Sequence, residues 1–306
     1  MVENLIGLMY GAGSRRVSVL GPVLFVIYIN DINSYVSSKI LKFSDDTKIV
    51  GVVSTSEGVM QIRQDLVDLY HWSNDWQMLF NTDKCNVMHL GNKNPCVKYD
   101  LGGRELESIL EEKYLGILIT KDLKVSVQCL RAAKTANRVV GIIRRIFTCK
   151  DEQTIIQLYK SLVRPHLEYC VPAWHRYLSK NIEMLEKVQR RSTKMVYGFN
   201  DLTYEQRLRR LNITTLGTRR LRGDLIEVFK IDNVDFRNFF HLSTTGLRDH
   251  SLQIFKSSFK HDVGKYTFSN RVIDSWNRLP ENIIDCESLD NFKKKLDRFF
   301  KVPLGG

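Results

Sequence analysis

Asp45 and Asp46 stand side by side between two strand-like runs, Ser38 to Lys42 and Lys48 to Val53. Two carboxylates on the tight turn of a hairpin are hard oxygen ligands at fixed spacing, which is what Mg²⁺ needs beside a phosphate chain. A phosphoryl transfer clamped by two metals is the chemistry such a pair would serve. Taken bare, the same step is more often an ordinary solvated turn, since Asp favours turns through bonds to its own backbone. The segments around the pair decide between these readings.

Upstream, Gly21-Pro22 precedes a dense apolar run, Val23 to Ile32, with Pro22 placed where a first helical turn tolerates it. Periodicity alone fits this run to a buried helix or a buried strand. Downstream, Val59, Ile62, Leu66, Leu69, Trp72, Trp76 and Phe80 recur at steps of three and four, predicting a long amphipathic helix from Ser56 to near Asn81. Cys85 to Leu90, Val97 to Leu101 and Leu115 to Thr120 read as short strands, with Gly91-Asn92 and Gly102-Gly103 as turns. Beyond Asp122 the pattern turns helical. Val127, Leu130, Ala133, Ala136, Val140, Ile143 and Phe147 mark one stripe, and Ile155, Ile156, Tyr159 and Leu162 a second behind an Asp151 cap, with Pro165 kinking or ending it. Ile182, Leu185, Val188 and Met195 mark a third, and a fourth helix spans about Gly217 to Val234.

The 306 residues are 43% hydrophobic and 26% charged, ordinary for a globular chain. The longest apolar run, Val19 to Ile29, is interrupted by Gly21 and Pro22 and falls short of the roughly 20 residues a membrane helix needs. No membrane partner is expected. Met1 to Ile6 carries an acid and no basic run, so the expected address is intracellular, nucleus or cytoplasm alike. The cysteines lack C-x-x-C spacing, and His166 with Cys170 is too small a set for zinc. Net charge is +12, unevenly spread. Residues 1–120 hold 11 Lys and Arg against 14 Asp and Glu, a net of −3, and residues 121–306 carry +15. A polyanion partner would account for that asymmetry, and so would cations that merely solvate helix faces.

Ser18-Val19-Leu20-Gly21-Pro22 with the run to Ile32, the Asp pair in Phe43-Ser44-Asp45-Asp46-Thr47, Trp72 to Cys85, and Tyr114-Leu115-Gly116-Ile117 occur in one order and spacing. Leu158-Tyr159-Lys160, Val163 to Cys170, Val188-Gln189-Arg190-Arg191 and Ser275 to Pro280 follow. From about Ser18 to about Phe300 these blocks resemble the reverse transcriptases of non-LTR, LINE-type (jockey-like) retrotransposons. The resemblance implies an α+β fold: a truncated right-hand polymerase palm, with a small antiparallel sheet and helices, followed by a mostly helical thumb-like region. It selects helix for Val23 to Ile32. It divides the chain into a non-family N-terminus (1–17), a partial palm (18–120), a thumb-like region (121–240) and a basic C-terminal extension (241–306).

By that resemblance the ancestral activity is RNA-directed DNA polymerisation, with Mg²⁺ as cofactor and an RNA template and DNA primer as partners. Asp45 and Asp46 would be the metal ligands and catalytic carboxylates. Lys84 would donate a proton to the departing pyrophosphate, and Ser18 would lie at the nucleotide. Without the resemblance, Lys84 reads as a surface cation. Two departures count against catalysis. The further carboxylate of the family's metal centre comes from a strand upstream of Ser18, where this sequence offers only Glu3, and the one other acid before Asp45, Asp31, matches a non-catalytic position. Arg15-Arg16-Val17 also stands where relatives carry Pro-Gln-Gly, and Val obstructs a backbone approach that Gly permits. The expectation is a fragment lacking the fingers and the first catalytic strand, inactive alone, with a sheet edge left open.

The alternative expectation is a non-catalytic, basic nucleic-acid-binding protein, or a relic with no selected role. Arg190, Arg191, Lys194, Arg219, Arg220 and Arg222 are the phosphate candidates, since clustered Arg on helices reads a backbone without sequence preference. Phe255, Phe259, Phe268 and Trp276, interleaved with Lys256, Lys260, Lys265, Tyr266 and Arg271, fit a stacking surface or a core, the core being favoured for most.

Overall fold

In chain order the strands are β1 (Asn4–Met9), β2 (Lys39–Phe43), β3 (Asp46–Gly51), β4 (Asn86–Val87), β5 (Asp100–Leu101), β6 (Arg104–Glu105), β7 (Glu107–Ser108), β8 (Glu111–Tyr114) and β9 (Ile117–Thr120). The computed structural model describes residues 4–9, 20–44, 46–91, 94–174, 179–232, 239–243, 252–256, 258, 264 and 267–300. It is a mixture of helix and small sheets, α+β in class, in two units, Met1–Lys124 and Val125–Gly306. Among the described residues no helix is long and apolar enough to cross a membrane.

Unit 1 is built on a sheet of order β2-β3-β1-β4-β7, antiparallel except for the β4–β7 pair, with β5–β6 and β8–β9 as separate hairpins. β1 is the central strand. Asn4 pairs with Gly51 and Met9 with Asp46 on one side, and Ile6 pairs with Val87 and Gly7 with Asn86 on the other. β1 lies in the stretch before residue 18, which carries no family resemblance, and it fills the sheet between β3 and β4. Leu5 to Met9 is a short apolar run, and such a run pairs wherever strands offer unpaired edges.

Helix α1 (Leu20–Tyr28) continues into a 3₁₀ turn, Ile29–Ser34. The expected burial of this run holds only for part of it. Phe25, Ile29 and Ile32 pack into the core, whereas Val23, Leu24, Val26, Ile27 and Tyr28 are each roughly half exposed. One helix face meets the sheet, and an all-apolar helix then has its remaining faces in water.

Helix α2 (Ser56–Asp75) begins at Thr55, whose hydroxyl accepts the Gly58 N–H at 3.3 Å. Ile62, Leu66, Leu69 and Trp72 bury against Ile49, Val87 and Leu101, and Trp72 Nε1 donates to Asp31 Oδ1 at 3.2 Å. Asp65 is buried and accepts the Ser37 and Ser38 N–H groups at 2.9 and 3.1 Å, fixing the chain's entry to β2. The helix stops six residues before the predicted Asn81. Gln77 takes φ 53°, Met78 N–H bonds Ser73 O at 2.8 Å and Gln77 N–H bonds Asn74 O, a left-handed cap that usually uses Gly. The strands too are shorter than predicted. Leu115 and Gly116 (φ 46° and 84°) form the β8–β9 turn, so that strand starts at Ile117.

Unit 2 opens with α3 (Ser126–Ile146), α4 (Glu152–Leu158) and α5 (Arg164–Glu168), followed by α6 (Val171–Trp174), α7 (Ser179–Thr193), α8 (Tyr204–Arg210) and α9 (Leu216–Asp232). On α3 the buried stripe is Cys129, Ala132, Ala133, Ala136, Val140 and Ile143, while Val127 and Leu130 of the predicted stripe are exposed. The small alanines let α7 approach closely with Leu185 and Val188. Asn181 Nδ2 donates to Ser126 Oγ at 3.1 Å and Arg191 Nη1 to Asn137 Oδ1 at 2.7 Å, so the two helices run parallel. Asp151 caps α4, accepting the Thr154 N–H at 2.9 Å. Pro165 does not end the second helix, which runs on through α5 to Glu168. Its ring crowds the Ser161 carbonyl and it has no N–H to give, and the widened π turn Tyr159–Val163 absorbs both defects.

The described residues beyond 240 share one core with α9, correcting the separate extension expected there. Leu225, Val228 and Phe229 pack on Trp276, Phe292 and Leu296, with Phe229 and Phe292 stacked at 4.3 Å. Trp276 is buried and donates to Leu252 O at 2.9 Å, and Phe255 is exposed. Phe259, Lys260, Lys265 and Tyr266 lie outside the described residues.

Candidate functional site

Phe43 pairs with Asp46, so the β2–β3 hairpin turns through Ser44 and Asp45 alone. Ser44 is exposed and holds φ 54°, the left-handed conformation a two-residue hairpin turn requires at its first position. Asp46, half-buried, opens β3. Asp45 lies outside the described residues, as does Ser18.

Along β3 the side chains alternate, which puts Asp46 and Lys48 on one face and Thr47 and Ile49 on the other. Lys48 is 4% exposed. Its Nζ lies 3.5 Å from Glu112 Oε2 and 3.5 Å from the centre of the Tyr114 ring, both on β8. Burial pushes the Lys48 pKa down, and the negative charges of Glu112 and Asp46 oppose that shift. Burial pushes the Tyr114 phenol up, helped by Asp46 and Glu112. An internal ammonium therefore sits among the acids of this face.

These donors do not fit a two-metal centre. Asp45 and Asp46 come from one turn, and β1, hydrogen-bonded to β3 with Met9 opposite Asp46, contains no Asp or Glu. Glu112 does come from a second segment, but its carboxylate is engaged with Lys48. Among the described residues, no three His, Cys, Asp or Glu side chains group as metal ligands.

Lys84 is exposed on a 3₁₀ turn, Thr82–Lys84, two residues before Asn86. Asn86 and Lys48 are both opposite Gly7, so Lys84 leads into β4 at the sheet end where Asp46 opens β3. The two strands are two spacings apart, roughly 10 Å. Arg104 pins this turn by pairing with Asp83 and donating to Thr82 Oγ1 at 3.2 Å. The topology thus brings Lys84 and the Asp hairpin to one end of the sheet.

The six cationic candidates of unit 2 separate into two sets. Arg190, Arg191 and Lys194 are exposed, with Arg190 lying 4.7 Å over the Tyr204 ring and Arg191 on Asn137. Arg219, Arg220 and Arg222 are a correction to the surface expected of them. Arg219 donates twice to Glu168, at 2.6 and 3.3 Å. Arg222 grips both oxygens of Asp297. Arg220 is buried, donating to Leu167 O at 3.2 Å beneath Trp174. These three hold the helices of unit 2 together.

Lys48, Glu112 and Tyr114 give no local signal, because the contact joins residues 64 apart in sequence. A second overlooked feature is visible in the sequence: residues 123–150 contain seven Lys and Arg and no acid. No model of a known protein family matches this chain, and no curated protein matches it.

Proposed function

We propose that this chain is a portion of a LINE-type reverse transcriptase, descended from an RNA-directed DNA polymerase. In this reading unit 1 keeps a palm-like frame and unit 2 a thumb-like helical region. RNA and DNA strands are its partners, and the chain alone does not carry out nucleotidyl transfer. The observation that supports it best is the hairpin Lys39 to Gly51, with Asp46 opening β3 straight after its two-residue turn and Lys84 at the same end of the sheet. Helix α2 backs that sheet through Ile62, Leu66 and Trp72, as a palm helix would.

In such a centre the carboxylates hold two Mg²⁺ ions against the reacting phosphates. The absence of an acid from β1 and the presence of Lys48 on the hairpin's face are why transfer is taken as lost. Primer extension on a poly(A) template with an oligo(dT) primer, dTTP and Mg²⁺ tests the reading. No product is expected from the 306-residue chain. Product that disappears in Asp46→Asn would overturn the loss of catalysis.

A second reading, nucleic-acid binding without chemistry, is favoured by a different observation: the acid-free cationic helix of unit 2.

A further inference from the structure

Helix α3 carries Arg131, Lys134, Arg138, Arg144 and Arg145, all exposed, and no acid. Arg131, Lys134, Arg138 and Arg145 are three, four and seven residues apart, so they fall on one face and span about 21 Å of helix. The opposite face is already committed to α7 through Ala132, Ala133, Ala136 and Val140. Because α7 runs parallel and Arg191 bonds Asn137, the exposed Arg191 and Lys194 extend the same patch from the side. Lys187, by contrast, is paired with Glu183 at 3.1 Å.

Just past α7 stands Tyr197, 89% exposed. Its N–H donates to Lys150 O at 2.8 Å, which ties the Tyr197 backbone, three residues beyond Lys194, to the segment that follows α3. An aromatic ring left in water next to a row of cations has no folding role that explains its exposure. Stacking against a base while the cations hold phosphates is a use for it.

We propose that the exposed face of α3, with Arg191 of α7 and Lys194 just beyond it, binds the phosphate backbone of single-stranded nucleic acid, and that Tyr197 stacks on one of its bases. The proposal rests on the preceding reading only in naming nucleic acid as partner; charge and exposure carry the site itself. A membrane surface fits less well, since the apolar side chains that α3 leaves exposed, Val127, Leu130, Ile142 and Ile146, are interleaved with the cations rather than gathered on the separate apolar face an interfacial helix buries in lipid. An acidic peptide would use the cations but leave Tyr197 without a partner.

The test is fluorescence anisotropy of a labelled single-stranded oligonucleotide with the full chain, in EDTA and without nucleotides, across a KCl series. In these conditions the Asp hairpin performs no chemistry, so failure here and failure of the polymerase reading are separate results. Affinity should fall with salt, with a slope of about 0.7 per phosphate contacted. Combining Arg131→Ala, Lys134→Ala and Arg138→Ala should weaken binding at least tenfold and flatten the slope by about 2. Tyr197→Ala should weaken binding about tenfold with the slope unchanged, and Tyr197→Trp should restore it. All four side chains are exposed, and circular dichroism verifies that each variant folds. Wild-type affinity and slope in the triple variant would overturn the surface. Anionic phosphatidylserine vesicles or poly-glutamate competing as well as the oligonucleotide, with Tyr197→Ala silent, would overturn the nucleic-acid assignment.

Discussion

Lys48 and Glu112 form an ion pair that ties the β8–β9 hairpin to the face of β3 bearing Asp46, with Nζ and Oε2 3.5 Å apart and the Tyr114 ring against the ammonium. Both side chains are largely out of water, so each depends on the other for compensation of its charge.

Lys48→Met leaves Glu112 without that partner in a half-buried position. Unit 1 should lose about 1–3 kcal/mol in urea unfolding. The pH dependence has a defined sign. Burial holds the folded Lys48 pKa below 10.5, so just below that pH the unfolded chain keeps a proton the folded chain has shed. Stability contributed by this group therefore rises with pH through that window. The difference between wild type and Lys48→Met, followed from pH 8 to 10.5, should carry that slope. A flat difference would refute the buried ammonium.

Arg222→Ala separates structural from surface cations. It breaks a two-point contact with Asp297 that joins α9 to the last helix, Leu289–Phe299. A stability loss of about 1–3 kcal/mol is expected, with oligonucleotide affinity unchanged once the variant is folded. Reduced affinity at full stability would return this Arg to the binding surface.

Alkaline unfolding reports on the buried polar network of unit 2. Tyr159 donates to Gln189 Oε1 at 2.5 Å, and Gln189 Nε2 donates to Tyr204 at 2.8 Å. Burial raises both phenols far above 10. Their contribution is present below the unfolded pKa, near 10, and is lost as pH rises beyond it. Wild type should destabilise steeply above pH 10 and Tyr159→Phe less steeply, read by thermal melts at stepped pH. Equal slopes would show that Tyr159 ionises freely in the folded chain.

Local signals were legible where the residue type dictates the geometry. The stripe of α2, the Asp151 cap and the Gly102-Gly103 turn of β5–β6, with both glycines at positive φ, all follow from side-chain type and spacing. The end of α2 did not, because Gln77 fills a left-handed position that usually announces itself as Gly. Helix α8 was readable and overlooked: Thr203 and Gln206 form a reciprocal capping box. Long-range pairing was out of reach. Nothing in Leu5 to Met9 says that it inserts between β3 and β4, or that Arg219, Arg220 and Arg222 meet partners 51 to 75 residues away. For the candidate site, the Asp pair and its hairpin were evident from sequence, and the cation that shares its face was not.

β1 brings no acid alongside Asp46, and on that ground we propose that the Asp45-Asp46 hairpin does not assemble a two-metal centre. Titration of Mn²⁺ into the full chain, with free ion followed by electron paramagnetic resonance, measures this directly. No saturable binding in the micromolar range is expected, and Asp46→Asn should change nothing. Tight binding of Mn²⁺ by the wild-type chain, released by Asp45→Asn or Asp46→Asn, would contradict the account.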